Sequence, residues 1–249
     1  MRIEISVETI TGVDIAARHG VDRVELCGAL AEGGLTPSAG LLELAVERAG
    51  ATEVHPLIRP RPGDFHYTAS EIELMTRDIR TAIGSGAHGV VVGALDADGL
   101  LDTAACAAMI EAAQGEQVTL HRAIDASASP DRVLDQAIEL GFTRVLTSGA
   151  RQSAVDGAPA IAALVARAAG RIAVMACGGI RAANARAVIA ATGVGDIHAA
   201  VRAPVRGAAS GAVSFSGVGV PDGFDHFDTD DRGVADLRAA VSGDTVRFE

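Results

Sequence analysis

The chain has 249 residues, 49% of them hydrophobic but only 3% aromatic, and 32 acidic against 21 basic residues leave a net charge of −11. That length suits one closed α/β barrel of about 250 residues, and the charge argues against a nucleic-acid groove or an anionic membrane surface, both of which attract the opposite sign. No apolar run approaches the ~20 residues of a membrane-spanning helix, and the opening MRIEISVE is charged where a signal peptide is apolar, so a soluble protein is expected.

Short β-branched runs alternate with Ala-rich helical stretches. In chain order the pattern predicts strand 2–7, helix 13–19, strand 23–27, helix 38–49, strand 53–59 and helix 70–85. It continues with strand 89–95, helix 102–113, strand 117–122, helix 130–140, strand 144–148 and helix 158–169. Strand 171–176, helix 183–191, strand 196–201 and a last helix over 234–241 complete it. Ser38 and Ser70 are expected N-caps, Pro130 suits a first helical turn, and Gly20, Gly50, Gly141 and Gly170 suit helix ends. Eight strand–helix alternations imply a parallel sheet with helical crossovers, and no GxGxxG follows the first strand to favour an open doubly wound sheet. The expectation is α/β, a single (β/α)8 TIM barrel over 1–249. The Gly-, Ser- and Asp-rich stretch 202–233 is expected as an irregular loop over the carboxyl face, either solvated or a lid. Cys27, Cys106 and Cys177 are odd in number and widely spaced, which fits a reducing cytoplasm rather than a disulfide framework.

Side chains alternate along a strand, so parity separates those facing the helices from those inside the barrel. With Ile3, Ile5 and Val7 outward, Glu4 and Ser6 point inward. The same alternation sends Glu25 and Cys27 inward from the second strand, and His55, Leu57, Arg59 and Arg61 from the third. Thr119 and His121 follow from the fifth strand, and Asp196, His198 and Arg202 from the eighth. Barrel interiors are normally filled by branched apolar side chains, and unpaired polar groups there are costly. A polar set concentrated toward the strand ends therefore marks a site.

Within it, Arg59-Pro60-Arg61-Pro62-Gly63-Asp64 presents two fork-shaped donors suited to a carboxylate or phosphate, with Asp64 orienting or neutralising one of them. A salt-bridged surface loop is the competing reading. His121-Arg122-Ala123-Ile124-Asp125 puts an imidazole, a guanidinium and a carboxylate after the fifth strand, the ingredients of an oriented base. Ser148-Gly149 ends the sixth strand and Cys177-Gly178-Gly179 the seventh, where backbone N–H groups can approach an anion, although such turns also need glycine for steric reasons. Glu25 either pairs structurally with Arg59 or belongs to the chemistry. His121 and His198 are either satisfied core histidines or members of one site.

The segments DRVELC (22–27), EGGLTP (32–37), IRPRPGD (58–64), HRAID (121–125), RVLTSG (144–149) and 181–184 resemble the CutC family, in order along the chain. The resemblance implies a cytoplasmic, homo-oligomeric barrel with a role in copper homeostasis and copper binding. Cu(I) prefers soft thiolate or thioether ligands. Family members often carry a cysteine where this chain has Ser6, which leaves Cys27, with Cys177 at the mouth near Met175, as the metal candidates. The alternative is an enzyme acting on a small anionic metabolite, a carboxylate or phosphate. In that reading Arg59, Arg61, Asp64, Arg122, Ser148, Gly178 and Gly179 bind the ligand, His121 or His198 moves a proton, and Glu25 and Asp125 orient them.

Overall fold

The computed structural model describes residues 1–207 and 219–242. Eight parallel strands form the barrel wall: β1 (Arg2–Val7), β2 (Arg23–Leu26), β3 (Glu53–Pro56), β4 (Gly89–Val92), β5 (Gln117–Leu120), β6 (Arg144–Thr147), β7 (Ala173–Ala176) and β8 (Asp196–Ala199). They run round in the order β3-β2-β1-β8-β7-β6-β5-β4. A Leu57–Val91 bridge and the bonds Ile58 N to Val91 O (2.9 Å) and His88 N to Val54 O (3.0 Å) join β3 to β4 and bring the wall nearly to closure. Helices α1 (Ile10–Arg18), α2 (Ala39–Arg48), α3 (Ala69–Gly84), α4 (Thr103–Ala112), α5 (Pro130–Leu140), α6 (Ala158–Ala168), α7 (Ala182–Thr192) and α8 (Asp231–Ser242) follow the strands.

Eight alternations thus appear as expected, with strands that stop earlier at their carboxyl ends. The third strand ends at Pro56 rather than at 59, and the fourth at Val92 rather than at 95. The residues beyond leave the ladder to build the loops of the mouth. Helix starts follow side-chain capping. Ser38 accepts from Leu41 N (3.2 Å), as expected. Ser70, expected to cap α3, lies inside it; Thr68 caps instead, in a box with Glu71, whose carboxylate accepts from Thr68 N (2.7 Å). The stretch 202–233, expected as irregular, contains the antiparallel pair β9 (Arg202–Val205) and β10 (His226–Thr229), and α8 begins within it at Asp231; the expected loop over 208–218 lies outside the described residues. Proline and four polar residues interrupt the apolar alternation that would have announced these strands.

Two layers of side chains result. Outward residues such as Ile3, Ile5, Val7, Val24 and Leu26 are buried under the helices in one large apolar cluster, each contributing roughly 1.5–3 kcal/mol by its removal from water. Inside the wall the residues are largely polar. Glu4, Arg23, His55, Thr119, Arg144 and Asp196 are all buried there. Room for them comes partly from glycine on β4 and just beyond it. A Cβ on Gly89 would stand 2.6 Å from His55 Cε1, and one on Gly93 2.7 Å from His121 Cε1.

Candidate functional site

A cavity of about 560 Å³ opens at the carboxyl ends of the strands. Ser6, Glu25, His198 and Cys177 are among its deeper lining, Arg59, Phe65 and His121 form one side, and Arg122, Arg181 and Arg202 lie toward the rim. Glycine turn Gly178–Gly179, at φ +99° and +68°, also lines it just before α7. Parity therefore placed Glu25, Arg59, His121, His198 and Arg202 correctly.

The deeper part is electrostatically organised. His198 Nδ1 lies 2.6 Å from Glu4 Oε1, and its Nε2 lies 3.9 Å from Glu25 Oε2. Glu4 is in turn bonded by Arg23 Nε. Burial works against the charged forms of Glu4 and His198. For Glu4 the Arg23 charge and the His198 bond outweigh it and leave the carboxyl well below its usual range. For His198 the Glu4 bond and the charges of Glu25 and Glu4 outweigh it and raise the imidazole. Glu25 differs: burial lifts it, nearby Glu4 adds to the lift, and His198 only partly opposes them. The pocket thus sets an imidazole raised by its carboxylate neighbours beside a carboxyl group raised by burial. Beneath them Asp196 accepts from Arg144 Nε (2.7 Å) and faces Arg23 Nη2 at 3.5 Å.

Arg59 defines the opposite side. It does not pair with Glu25; its Nη1 donates to Glu32 O (3.2 Å) and Gly34 O (3.0 Å), and its Nη2 to Gly63 O (2.8 Å). Only 6% exposed, it meets no carboxylate within ion-pair distance among the described residues, and its Nε has no partner there. The guanidinium lies 5.3 Å from the Phe65 ring, which sits 4.7 Å from the His121 ring. His121 Nδ1 accepts from Ala123 N (3.2 Å), capping the single 3-10 turn Arg122–Ala126. Its proton therefore sits on Nε2, which is buried without a partner among the described residues. Burial, and then the Arg59 charge, push the imidazole down to about 3. A neutral Nε2–H donor and an unpaired cation thus share one wall.

Three expectations fail here. Arg61 does not point inward: it is partly exposed, with Nε on Glu71 Oε1 (2.6 Å), Nη2 on His66 O (2.6 Å) and Asp64 3.1 Å away. Proline at 62 and the turn at Gly63 reverse the chain, so strand parity ends at Arg59. Asp125 does not orient His121. Its carboxylate accepts from Thr147 Oγ1 (2.6 Å), Ser148 N (3.0 Å), Ala150 N (3.1 Å) and Arg122 Nε (2.8 Å), which braces the end of β6. Ser148 is likewise part of that brace, accepting from Arg122 Nη2 (2.7 Å), and is absent from the pocket lining. Phe65 and Arg181 were missed as site residues. Phe65 lies four residues beyond the arginine pair in the same motif, a signal that could have found it.

The thiols make poor copper donors. Cys27 packs with Leu57 and Val91, while Cys177 packs with Leu146 and Met175, and β1 and β8 separate their strands in the wall. Burial pushes both thiols up, and neighbouring Glu25 adds to it. Cys27 Sγ lies 3.5 Å from Glu25 Oε2, and Met175 Sδ already accepts from Arg23 Nη2 (3.3 Å). Among the described residues no group of three or more His, Cys, Asp or Glu could hold a metal. These donors do not fit a soft Cu(I) site, which needs accessible thiolate or thioether sulfur.

An α/β barrel with its polar residues gathered at the strand ends is the class that fold and site define. Within it the chain belongs to the CutC family, whose model matches residues 1–203. A CutC family protein of Xanthomonas campestris pv. campestris is 49% identical over 205 residues, covering 82% of this chain and 85% of the relative. One from Pasteurella multocida is 44% identical over 198 residues, with 80% and 81% covered. A Streptococcus agalactiae crystal structure, named for copper homeostasis and CutC, superposes with a TM-score of 0.76 at 33% identity over 80% of this chain and 97% of that one. A phosphoribosylanthranilate isomerase from Thermotoga maritima, at 12% identity and TM-score 0.60 over 98% and 99%, shares the fold alone. No described helix is long and apolar enough to cross a membrane.

Proposed function

We propose that this CutC-family chain binds a small organic anion in the barrel mouth and acts on it as an enzyme, with Glu25 and His198 as the proton-transfer pair. The observation that carries the reading is Arg59. A buried guanidinium without a counter-ion is costly unless an anion joins it, and this one lines the cavity beside the Nε2–H of His121. A ligand carboxylate or phosphate there would receive both donors, with Phe65 against its body. Arg122, Arg181 and Arg202 make the rim attractive to the same charge. At the floor, a protonated Glu25 can give a proton to a developing anion while His198 stabilises the carboxylate left behind. Reading the site this way keeps the expected role of Arg59, and turns Glu25 from an orienting group into the proton donor and His198 into the group that stabilises it. It makes His121 a hydrogen-bond donor rather than a base, and drops Arg61, Asp64 and Ser148 from direct contact; Asp125 lines the cavity but is committed to its brace.

The test is a thermal-shift screen of carboxylated and phosphorylated metabolites. A ligand at 100 times its Kd stabilises by about 2.7 kcal/mol, which for a chain of this size raises Tm by roughly 5–10 °C. Arg59→Leu and His121→Phe should each remove the shift, and Arg61→Ala should keep it. A hit that survives both pocket substitutions, or a screen in which no organic anion shifts the wild type, refutes the reading. The copper role carried by the family label, and by the name of the Streptococcus agalactiae structure, is the second reading, and it requires a Cu(I) site at Cys27 that the sulfur environment disfavours.

A further inference from the structure

His198 can carry its ring protons in several ways, and only one presents Nε2 to Glu25 and the pocket with a fixed charge behind it. The groups facing His198 decide which. From β1 comes Glu4, 2.6 Å from Nδ1. From β2 come Glu25, 3.9 Å from Nε2, and Arg23, which binds the other oxygen of Glu4. On its own strand Asp196 is taken by Arg144 of β6 and Arg23, and Met175 of β7 and Cys177 just beyond it bring sulfur. Glu4 is wholly buried and does not line the cavity, so it meets no ligand. Its two oxygens are divided between Arg23 and His198, which fixes the carboxylate from both sides.

We propose that Glu4 is a positioning residue: its Oε1 binds the Nδ1–H of His198 and thereby turns the Nε2 edge of the imidazole toward Glu25 and the pocket. The arrangement is that of a carboxylate holding one face of a histidine so that the other does chemistry. Arg23 serves one layer further back, keeping Glu4 ionised and in place. The inference deepens the reading of Glu25 and His198 as the reacting pair, but the geometry on which it stands needs no ligand.

Long-range 1H–15N spectra of the histidine rings, recorded from pH 5 to 10 on the unliganded protein, test it, with His198 assigned by loss of its signals in His198→Gln. The ring should be cationic at pH 7 and, on losing a proton, should become the Nδ1–H tautomer. In Glu4→Gln, which keeps an acceptor but removes the charge, the midpoint should fall by about 1–3 pH units, the effect of one close opposite charge. A wild-type ring that is neutral at pH 7, or that titrates to the Nε2–H tautomer, overturns the proposal, and so does an unchanged midpoint in Glu4→Gln. Should Glu4→Gln fail to fold, the wild-type tautomer decides alone. A correct tautomer in a protein that binds no organic anion would leave the role of Glu4 standing and sink the proposed function, so the two failures are separable.

Discussion

Replacing Asp125 by Asn tests whether this carboxylate is a brace rather than a catalytic group. Its side chain, at the edge of the cavity and only 9% exposed, accepts from Thr147 Oγ1, Ser148 N, Ala150 N and Arg122 Nε at 2.6–3.1 Å. Hydrogen bonds to a charged group are worth about 1.5–3 kcal/mol each, and an amide can accept on one side only. The amide introduced by Asp125→Asn would keep about half of the bonds and turn an N–H toward the remaining donors. The loss of two such bonds comes to about 3–6 kcal/mol, which is a large share of the 5–15 kcal/mol that holds an ordinary domain. Urea unfolding of both proteins at pH 7 measures it. The pH dependence adds a second check. Burial works to raise Asp125, but its bonds outweigh that and leave the carboxyl below its usual range. Its contribution is therefore present above the unfolded value of about 3.9 and is lost as pH falls through the lower folded value. The gap between wild type and Asp125→Asn should be full above about pH 5 and shrink below it. Equal stabilities at pH 7, or a gap that does not change down to pH 3, would refute the assignment.

Acid should destabilise the wild type through His121 as well. With the folded imidazole pushed down to about 3 and the unfolded one near 6.5, the unfolded state takes up the proton first, so stability falls by up to a few kcal/mol from about pH 6.5 downward. His121→Asn should flatten that limb in pH-dependent unfolding, and an identical limb in both proteins would contradict the buried neutral ring. For copper, anaerobic Cu(I) titration against a chelator should give the same weak binding in wild type and Cys27→Ser. Tight stoichiometric binding lost in the variant would instead restore the copper reading.

What the sequence made legible followed a period. Alternation along β1, β2 and β8 assigned Glu4, Glu25 and His198 to the interior, because a strand admits two faces and the apolar one must meet the helices. The same arithmetic was open for Arg23 and Arg144, yet neither entered the expected inward set. Both stand at the first residue of a strand, where an arginine reads as a solvated end. The structure instead buries them against Glu4 and Asp196. Loops were less legible. Arg59 and Arg61 are two residues apart, and strand parity puts them on one face, but the chain has left the ladder after the bridge at Leu57. His121 and Asp125 lie close in sequence and both line the cavity, yet the turn Arg122–Ala126 commits the carboxylate to the end of β6 rather than to the imidazole. Proximity along the chain is a poor guide wherever a turn intervenes.

The charged interior bears on where the unmet charge of the barrel lies. Most barrels fill this space with branched apolar side chains, and a buried ion pair often stabilises less than apolar residues of the same volume. The lower layers here are closed on themselves: Arg23, Arg144 and His198 face Glu4, Asp196 and Glu53, each cation near at least one carboxylate. Two charge-bearing side chains on the cavity wall stand outside this closed set. Glu25 has as its cationic partner only the shared His198 at 3.9 Å, and Arg59 has backbone carbonyls. Both line the cavity. Charge balance below and imbalance above place the unmet electrostatic demand at the mouth, one group short of a cation and the other short of an anion. An anion that seats on Arg59 meets the second demand, and a proton on Glu25 meets the first. On the proposed reading, binding and proton transfer would be coupled in one cavity: a ligand that relieves Arg59 would arrive beside Glu25, the cavity carboxyl group that burial pushes toward its protonated form.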